Sequence, residues 1–266
     1  MTLLDQQTAG TWIARWDAQQ EGYVPDREER FTAMIDAVGA AARRPDPLVL
    51  DLGCGPGSLA GRILDRIPGA TVVAVDADPL LLSLGRAVHA GRDGIVFTTL
   101  DLREPGWAAR LRLPRQADAA VSTTALHWIS PADLRVVYAE LATVLRPGGL
   151  LLNGDDLHVD DVTPGLDGLA GELREREKAR RLAGRPRPEN WEQWWEAIGT
   201  DPAFADLHAQ STDEVTGHHG SPSRLLSAHT EALHAAGFTE VGTLWQHGGN
   251  RLLAALLPAG GAGRRD

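Results

Sequence analysis

The run Val49-Leu50-Asp51-Leu52-Gly53-Cys54-Gly55-Pro56-Gly57-Ser58 constrains this chain more than any other stretch. An aliphatic strand meets alternating glycines and passes into the helix-forming segment Leu59-Ala60-Gly61-Arg62-Ile63-Leu64. Glycine is needed at such a corner because the backbone must turn tightly and approach a ligand with no side chain in the way. The helix start offers free N–H groups and the positive end of a dipole, a seat for a phosphate or a carboxylate. Gly55-Pro56-Gly57-Ser58-Leu59-Ala60 also fits the G-x-G-x-x-A spacing of dinucleotide-binding loops, so the loop alone leaves the ligand open.

From Leu48 onward, short aliphatic runs alternate with amphipathic stretches, the order of a parallel sheet covered on both faces. Strands are predicted at about Leu48–Leu52, Thr71–Asp76, Ile95–Leu100, Ala119–Ser122 and Leu150–Gly154, with helices from Ser58, Pro79, Pro105 and Pro131. Proline is tolerated at a helix start because its missing N–H would have no partner there. After Gly154 the alternation stops, and a stretch rich in Trp, His, Arg and Gly precedes a helix over Ser223–Ala236. Strands at Glu240–Trp245 and Arg251–Leu257 then flank His247-Gly248-Gly249-Asn250, which suits a tight hairpin. The expected fold is α/β and doubly wound, a mostly parallel seven-stranded sheet with a reversed last strand. Its expected parts are an N-terminal helical cap over 1–45, a core over 46–154, a helical insertion covering the substrate over 155–222, the last helix and hairpin over 223–258, and a disordered tail over 259–266.

Acidic residues at the ends of successive strands narrow the ligand. Asp51 closes the first strand, where a carboxylate repels a pyrophosphate but can hold an ammonium group, directly or through water. Asp76 closes the second, placed to accept hydrogen bonds from ribose hydroxyls. Asp101 follows the third, where it can take an adenine amino group while the Leu102 N–H meets the ring. Together they describe an adenosine with a cationic tail.

Asp51 to Gly57, Asp76, Asp101, Asp118 to Ser130 and Leu145-Arg146-Pro147-Gly148-Gly149 resemble the successive motifs of class I (Rossmann-like) S-adenosylmethionine-dependent methyltransferases. Ala125-Leu126-His127-Trp128-Ile129, with Trp16-Asp17, Tyr23 and Arg27, is similar to the small-molecule branch that includes trans-aconitate methyltransferase. The resemblance implies S-adenosyl-L-methionine as cofactor and a small-molecule methyl acceptor. It places Tyr23 and Arg27 on an amino-terminal helix over the methionine carboxylate. Asp51, Gly53, Gly55, Gly57, Asp76, Ala77, Asp101, Leu102 and Ser122 complete the expected cofactor site. His127 is the expected catalytic residue, as a base or as an orienting donor, and Trp16, Trp128 and Trp194 join it around the acceptor. Core packing is the competing reading of Trp191-x-x-Trp194-Trp195.

Composition excludes other classes. The 266 residues carry a net charge of −10, which repels nucleic acid, and Ser122-Thr123-Thr124-Ala125 lacks the Asn/Asp-Pro-Pro-Tyr loop used on extruded bases. No apolar run approaches a membrane span and no secretory signal is readable, so a cytoplasmic enzyme is expected. Cys54 is the only cysteine, which rules out an internal disulfide and a thiolate zinc site. His208, His218, His219, His229 and His234 fit no metal-ligand spacing, so no metal is expected. The charged run Glu172–Arg181 reads as a solvated helix face. Two rivals remain: a cofactor-binding or non-methylating protein on the same fold, and an NAD-dependent oxidoreductase.

Overall fold

Leu48–Leu52 is buried along its whole length and forms β1, the centre of the sheet. A strand covered on both faces needs aliphatic side chains pointing both ways, which Leu-Val-Leu supplies. The computed structural model describes residues 4–24, 26–159, 163–184, 186–208 and 223–260. Two helices precede β1, α1 (Gln6–Tyr23) and α2 (Arg27–Ala42). Then follow α3 (Ser58–Arg66), β2 (Thr71–Asp76), α4 (Pro79–Val88), β3 (Ile95–Thr99), α5 (Trp107–Arg110) and β4 (Ala117–Thr123). A 3₁₀ turn (Leu126–Trp128), α6 (Pro131–Val144) and β5 (Leu145–Asp156) complete the alternating part. Next come α7 (Pro164–Arg181), α8 (Trp191–Thr200), α9 (Ala205–His208), α10 (Leu226–Ala235), β6 (Glu240–His247) and β7 (Asn250–Leu256).

The seven strands run in the order β3-β2-β1-β4-β5-β7-β6. β1 to β5 pair in parallel, and β7 is antiparallel to both β5 and β6. The reversed last strand follows from the short hairpin, which can join only antiparallel neighbours. One face of the sheet packs on α6 and α10 around Trp107, Tyr138 and Phe238. The other packs on α2 and α3 around Phe31, Met34 and Ile63. A third cluster, Trp12, Trp16, Trp194, Trp195 and Phe204, joins α1 to α4, α8 and α9.

Three boundaries differ from the sequence expectation. The helix predicted from Pro105 is the single turn α5, begun by Gly106 with φ 83°. β5 starts at Leu145 and continues to Asp156, carrying two acidic residues past the expected end at Gly154. The last helix begins at Leu226, because Leu225 is extended and bridged to His158. His218 and His219 lie outside the described residues, as do 261–266 of the expected tail. Among the described residues no helix is long and apolar enough to cross a membrane, and no three His, Cys, Asp or Glu side chains cluster as metal ligands.

Candidate active site

The carboxyl ends of β1, β2, β4 and β5, with α1, α7 and α8 above them, enclose a cavity of about 890 Å³. At its floor the glycine loop is fixed from below. Gly53 has φ 67°, and a methyl group there would collide with Ala125; Gly57 has φ 84°, with Phe97 2.8 Å from where a Cβ would stand. Gly55 N–H donates to Asp76 Oδ2 at 2.7 Å, and Asp78 N–H donates to Oδ1 at 2.9 Å. Asp76 thus braces the loop while lining the cavity beside Ala77, and burial pushes its pKa up to about 6.

Asp51 lies beneath this loop, fully buried and off the cavity wall. Its carboxylate has no side-chain partner among the described residues, and the Ala60 N–H is the backbone group that approaches it. Burial, reinforced by the charge of Asp76, pushes its pKa up to about 7. A buried carboxyl with no charged or side-chain partner under a glycine turn fits a ligand whose positive group settles above it. Asp101 and Leu102 lie on the wall. Asp101 is held by Arg103, whose Nε and Nη2 donate to it at 3.0 and 2.7 Å. Burial would raise its pKa, but the Arg103 hydrogen bonds outweigh that and keep it below the usual carboxylate range. Gly57 and Ser122 stand off the wall; Ser122 Oγ donates to the Leu52 carbonyl at 2.8 Å, joining β4 to β1.

Trp16, from α1, rests against the loop, its ring 3.5 Å from where a Cβ of Gly55 would stand. Arg27 is buried and pairs with Asp17 at 3.0 Å, and Asp17 also accepts Ser58 Oγ at 2.6 Å. The start of α3 is thereby tied to both amino-terminal helices. Tyr23 is 47% exposed at the cavity rim, its oxygen accepting the Trp191 N–H at 3.1 Å. Trp194 is wholly buried in the aromatic cluster and does not reach the cavity, whereas Trp191 and Trp195 do.

His127 and Trp128 also stand on the cavity wall, their rings 4.5 Å apart. His127 Nδ1 lies 2.8 Å from both oxygens of Asp155, at the end of β5. Burial would raise the Asp155 pKa, but His127 and then Arg30 hold it below its usual value. A carboxylate that receives Nδ1–H fixes the tautomer and leaves Nε2 for the cavity. Arg30 is wholly buried, donating to Asn250 Oδ1 and Thr123 Oγ1 at 2.6 Å each. It crosses the end of β5 where Gly154 leaves room, its Cδ only 2.8 Å from where a Cβ would stand.

Asp155, Asp156, Arg30 and Asn250 are wall residues the sequence reading missed. Asp155 and Asp156 carried a usable signal, since they end a parallel strand as Asp51 and Asp76 do. Arg30 carried none, because only the tertiary fold brings α2 to β5. The run Glu172–Arg181 is helical with no buried residue, as expected of a solvated face, yet part of it also faces the cavity. Arg174, Glu175, Glu177 and Lys178 line the cavity, with Arg174 bound to Asp156 at 2.5 Å.

Residues 49–149 match the model of a methyltransferase domain. A trans-aconitate 2-methyltransferase of Mycobacterium ulcerans (strain Agy99) is 35% identical over 135 residues, 50% of this chain and 45% of that protein. One from Azoarcus sp. (strain BH72) is 31% identical over 136 residues, 51% of this chain and 49% of that protein. The matches thus span less than half the length of these curated relatives. An O-methyltransferase family protein from Burkholderia thailandensis superposes with a TM-score of 0.55 at 21% identity, covering 86% of this chain and 56% of that one. A putative O-methyltransferase from Nostoc punctiforme PCC 73102 gives 0.53 at 14% identity, covering 90% and 59%. These two show the fold. Residues 49–149 thus match a methyltransferase domain, and the strand order, the reversed seventh strand and the braced glycine loop give the chain a Rossmann-like fold shared with these O-methyltransferase structures.

Proposed function

We propose that the chain transfers the methyl group of S-adenosylmethionine to an oxygen of a small acceptor, foremost a carboxylate, held against His127. The observation that carries this reading is the His127–Asp155 pair on the wall of the cavity that the glycine loop also lines. When bound, the cofactor supplies an electrophilic methyl group on a sulfonium. What remains for the protein is alignment and exclusion of water. Gly53, Gly55, Asp76, Asp101 and Leu102 hold the adenosine end, with Asp51 beneath the ammonium. Trp16 covers the loop, and Tyr23 and Arg27 close the methionine end.

A carboxylate acceptor has no proton to lose. His127 then serves as a donor through Nε2, with Asp155 stabilising the imidazolium. Arg174 and Arg224 share Asp156 at 2.5 and 3.6 Å, two cations on one anion, which favours an anionic acceptor. The relatives named for trans-aconitate support the same class. α7 and α8 act as a lid in this reading, since both supply wall residues. A hydroxyl acceptor is the second reading, favoured by the same Asp155, which leaves Nε2 free to take a proton as a base. Mass spectrometry after incubation with S-adenosylmethionine and a panel of carboxylic acids headed by trans-aconitate tests the first reading. A methyl ester is expected. Methylation confined to hydroxyl acceptors would favour the second reading, and no product from either group would overturn both.

A further inference from the structure

The mechanism above leaves a buried imidazole on the far side of the sheet unused. His229 of α10 and Tyr138 of α6 are both wholly buried, with the Tyr138 hydroxyl 2.6 Å from His229 Nδ1. His229 Nε2 is 2.9 Å from the Ser223 carbonyl oxygen. A carbonyl can only accept, so the proton sits on Nε2, and Nδ1 accepts from the Tyr138 hydroxyl. Burial pushes the imidazole pKa down and the phenol pKa up, which keeps both neutral.

The chain does not end at Ser223. Its N–H donates to the carbonyl of His127 at 3.2 Å. One residue on, the Arg224 carbonyl accepts the N–H of His158, and the His158 carbonyl accepts that of Leu226, each at 2.8 Å. Residues 223–226 therefore form a strap between the His127 turn and the end of β5. Arg224, in the middle of the strap, lines the cavity 3.6 Å from Asp156. Backbone hydrogen bonds hold the strap at the sheet, and His229 is the side chain that holds it from behind.

We infer that Tyr138 and His229 are positioning residues for methyl transfer, fixing through Ser223 the backbone of His127 and the reach of Arg224 into the acceptor end of the cavity. Neither touches the cavity, so each acts through the strap. Losing the Tyr138 hydroxyl frees His229 to exchange tautomers, and the lone pair of Nδ1 no longer has a donor. The Nε2–H bond to Ser223 then loses its enforcement. The inference rests on the assignment of His127 to the acceptor, and its test has one arm that does not depend on turnover.

That arm is nitrogen NMR of the full chain labelled at histidine and saturated with S-adenosylhomocysteine, together with amide exchange at Ser223. Tyr138→Phe is expected to shift the His127 ring signals and speed exchange at Ser223. His229→Gln, whose amide can still donate to the Ser223 carbonyl, should stay closer to wild type than His229→Leu. In the second arm, with trans-aconitate as acceptor, Tyr138→Phe and His229→Leu should lower kcat/KM about five-fold or more with S-adenosylhomocysteine affinity unchanged. A lower melting temperature with unchanged His127 signals and unchanged Ser223 exchange would overturn the inference and leave the pair as packing. If wild type methylates neither trans-aconitate nor any other acid of the panel, the acceptor assignment fails on its own, and the spectroscopic arm still decides the role of the strap.

Discussion

At His127 the two acceptor chemistries diverge, because Asp155 occupies Nδ1 and a single nitrogen remains for the acceptor. If that nitrogen removes a proton, His127→Ala should slow transfer by about 10²-fold or more with cofactor affinity intact. If it holds a carboxylate, the same substitution should chiefly raise the acceptor KM and leave kcat near wild type. The latter is expected, since an acceptor already ionised needs no base. Steady-state kinetics of the variant with the methylated acceptor, beside calorimetry with S-adenosylhomocysteine, separates the two. Normal kcat and KM with a lowered melting temperature would reduce His127 to a packing residue. The residue itself was legible because it follows the fourth strand, where a parallel sheet opens towards its ligand. Its partner Asp155 escaped notice because the strand signal weakens at Gly154, although β5 continues in register with β7, Asp155 opposite Arg251.

The unit made of β1, the glycine loop and α3 was the most legible element, since each of its local requirements is written in residue type. Strand, turn and helix follow from aliphatic, glycine and helix-forming residues in turn, and Gly53 and Gly57 take the positive φ that the turn needs. Not legible was the depth at which Asp51 sits. With its pKa raised to about 7 from an ordinary 3.8, the folded chain holds a proton that the unfolded chain releases. The resulting stability is present in full below the unfolded value and is lost as pH rises through about 7. A cationic ligand group favours the carboxylate, so cofactor binding is expected to expel this proton. Calorimetry at about pH 6 in buffers of different ionisation heat should show proton release on binding S-adenosylhomocysteine, diminishing towards about pH 8. Asp51→Asn should reduce that release, leaving the part that comes from Asp76, whose pKa is raised to about 6. Identical binding heats in all buffers after correction would show that Asp51 stays protonated in the complex.

Across the whole molecule, the proposed lid is the aromatic third cluster, which joins α1 and α8 beside the sheet. The alternation of strands and helices made the scaffold readable, whereas the cap's docking depends on contacts between segments nearly two hundred positions apart. Trp12 Nε1–H donates to Asp201 at 3.2 Å, Arg15 pairs with Glu189 at 2.7 Å, and Trp16 packs on Trp194 with ring centroids 5.0 Å apart. No local pattern encodes such pairs. α1 reaches the cofactor loop through Trp16 and Asp17, and α8 reaches α1 through the tryptophans, so the two helices should respond to ligand as one body. Trp194 is wholly buried and packs α8 onto α1, so in the proposed lid its part is packing and not contact with the acceptor. Lids that exclude water give up local stability when the site is empty. Hydrogen exchange is therefore expected to slow in 6–23 and 191–200 together when S-adenosylhomocysteine binds, while β1 and β4 change little. Trp16→Ala should uncouple them, leaving 191–200 indifferent to ligand and weakening cofactor affinity by about ten-fold, the scale of losing one well-packed aromatic contact. Exchange in both segments that does not respond to ligand in the wild type would make the cluster a permanent part of the core, with cofactor entry by another route.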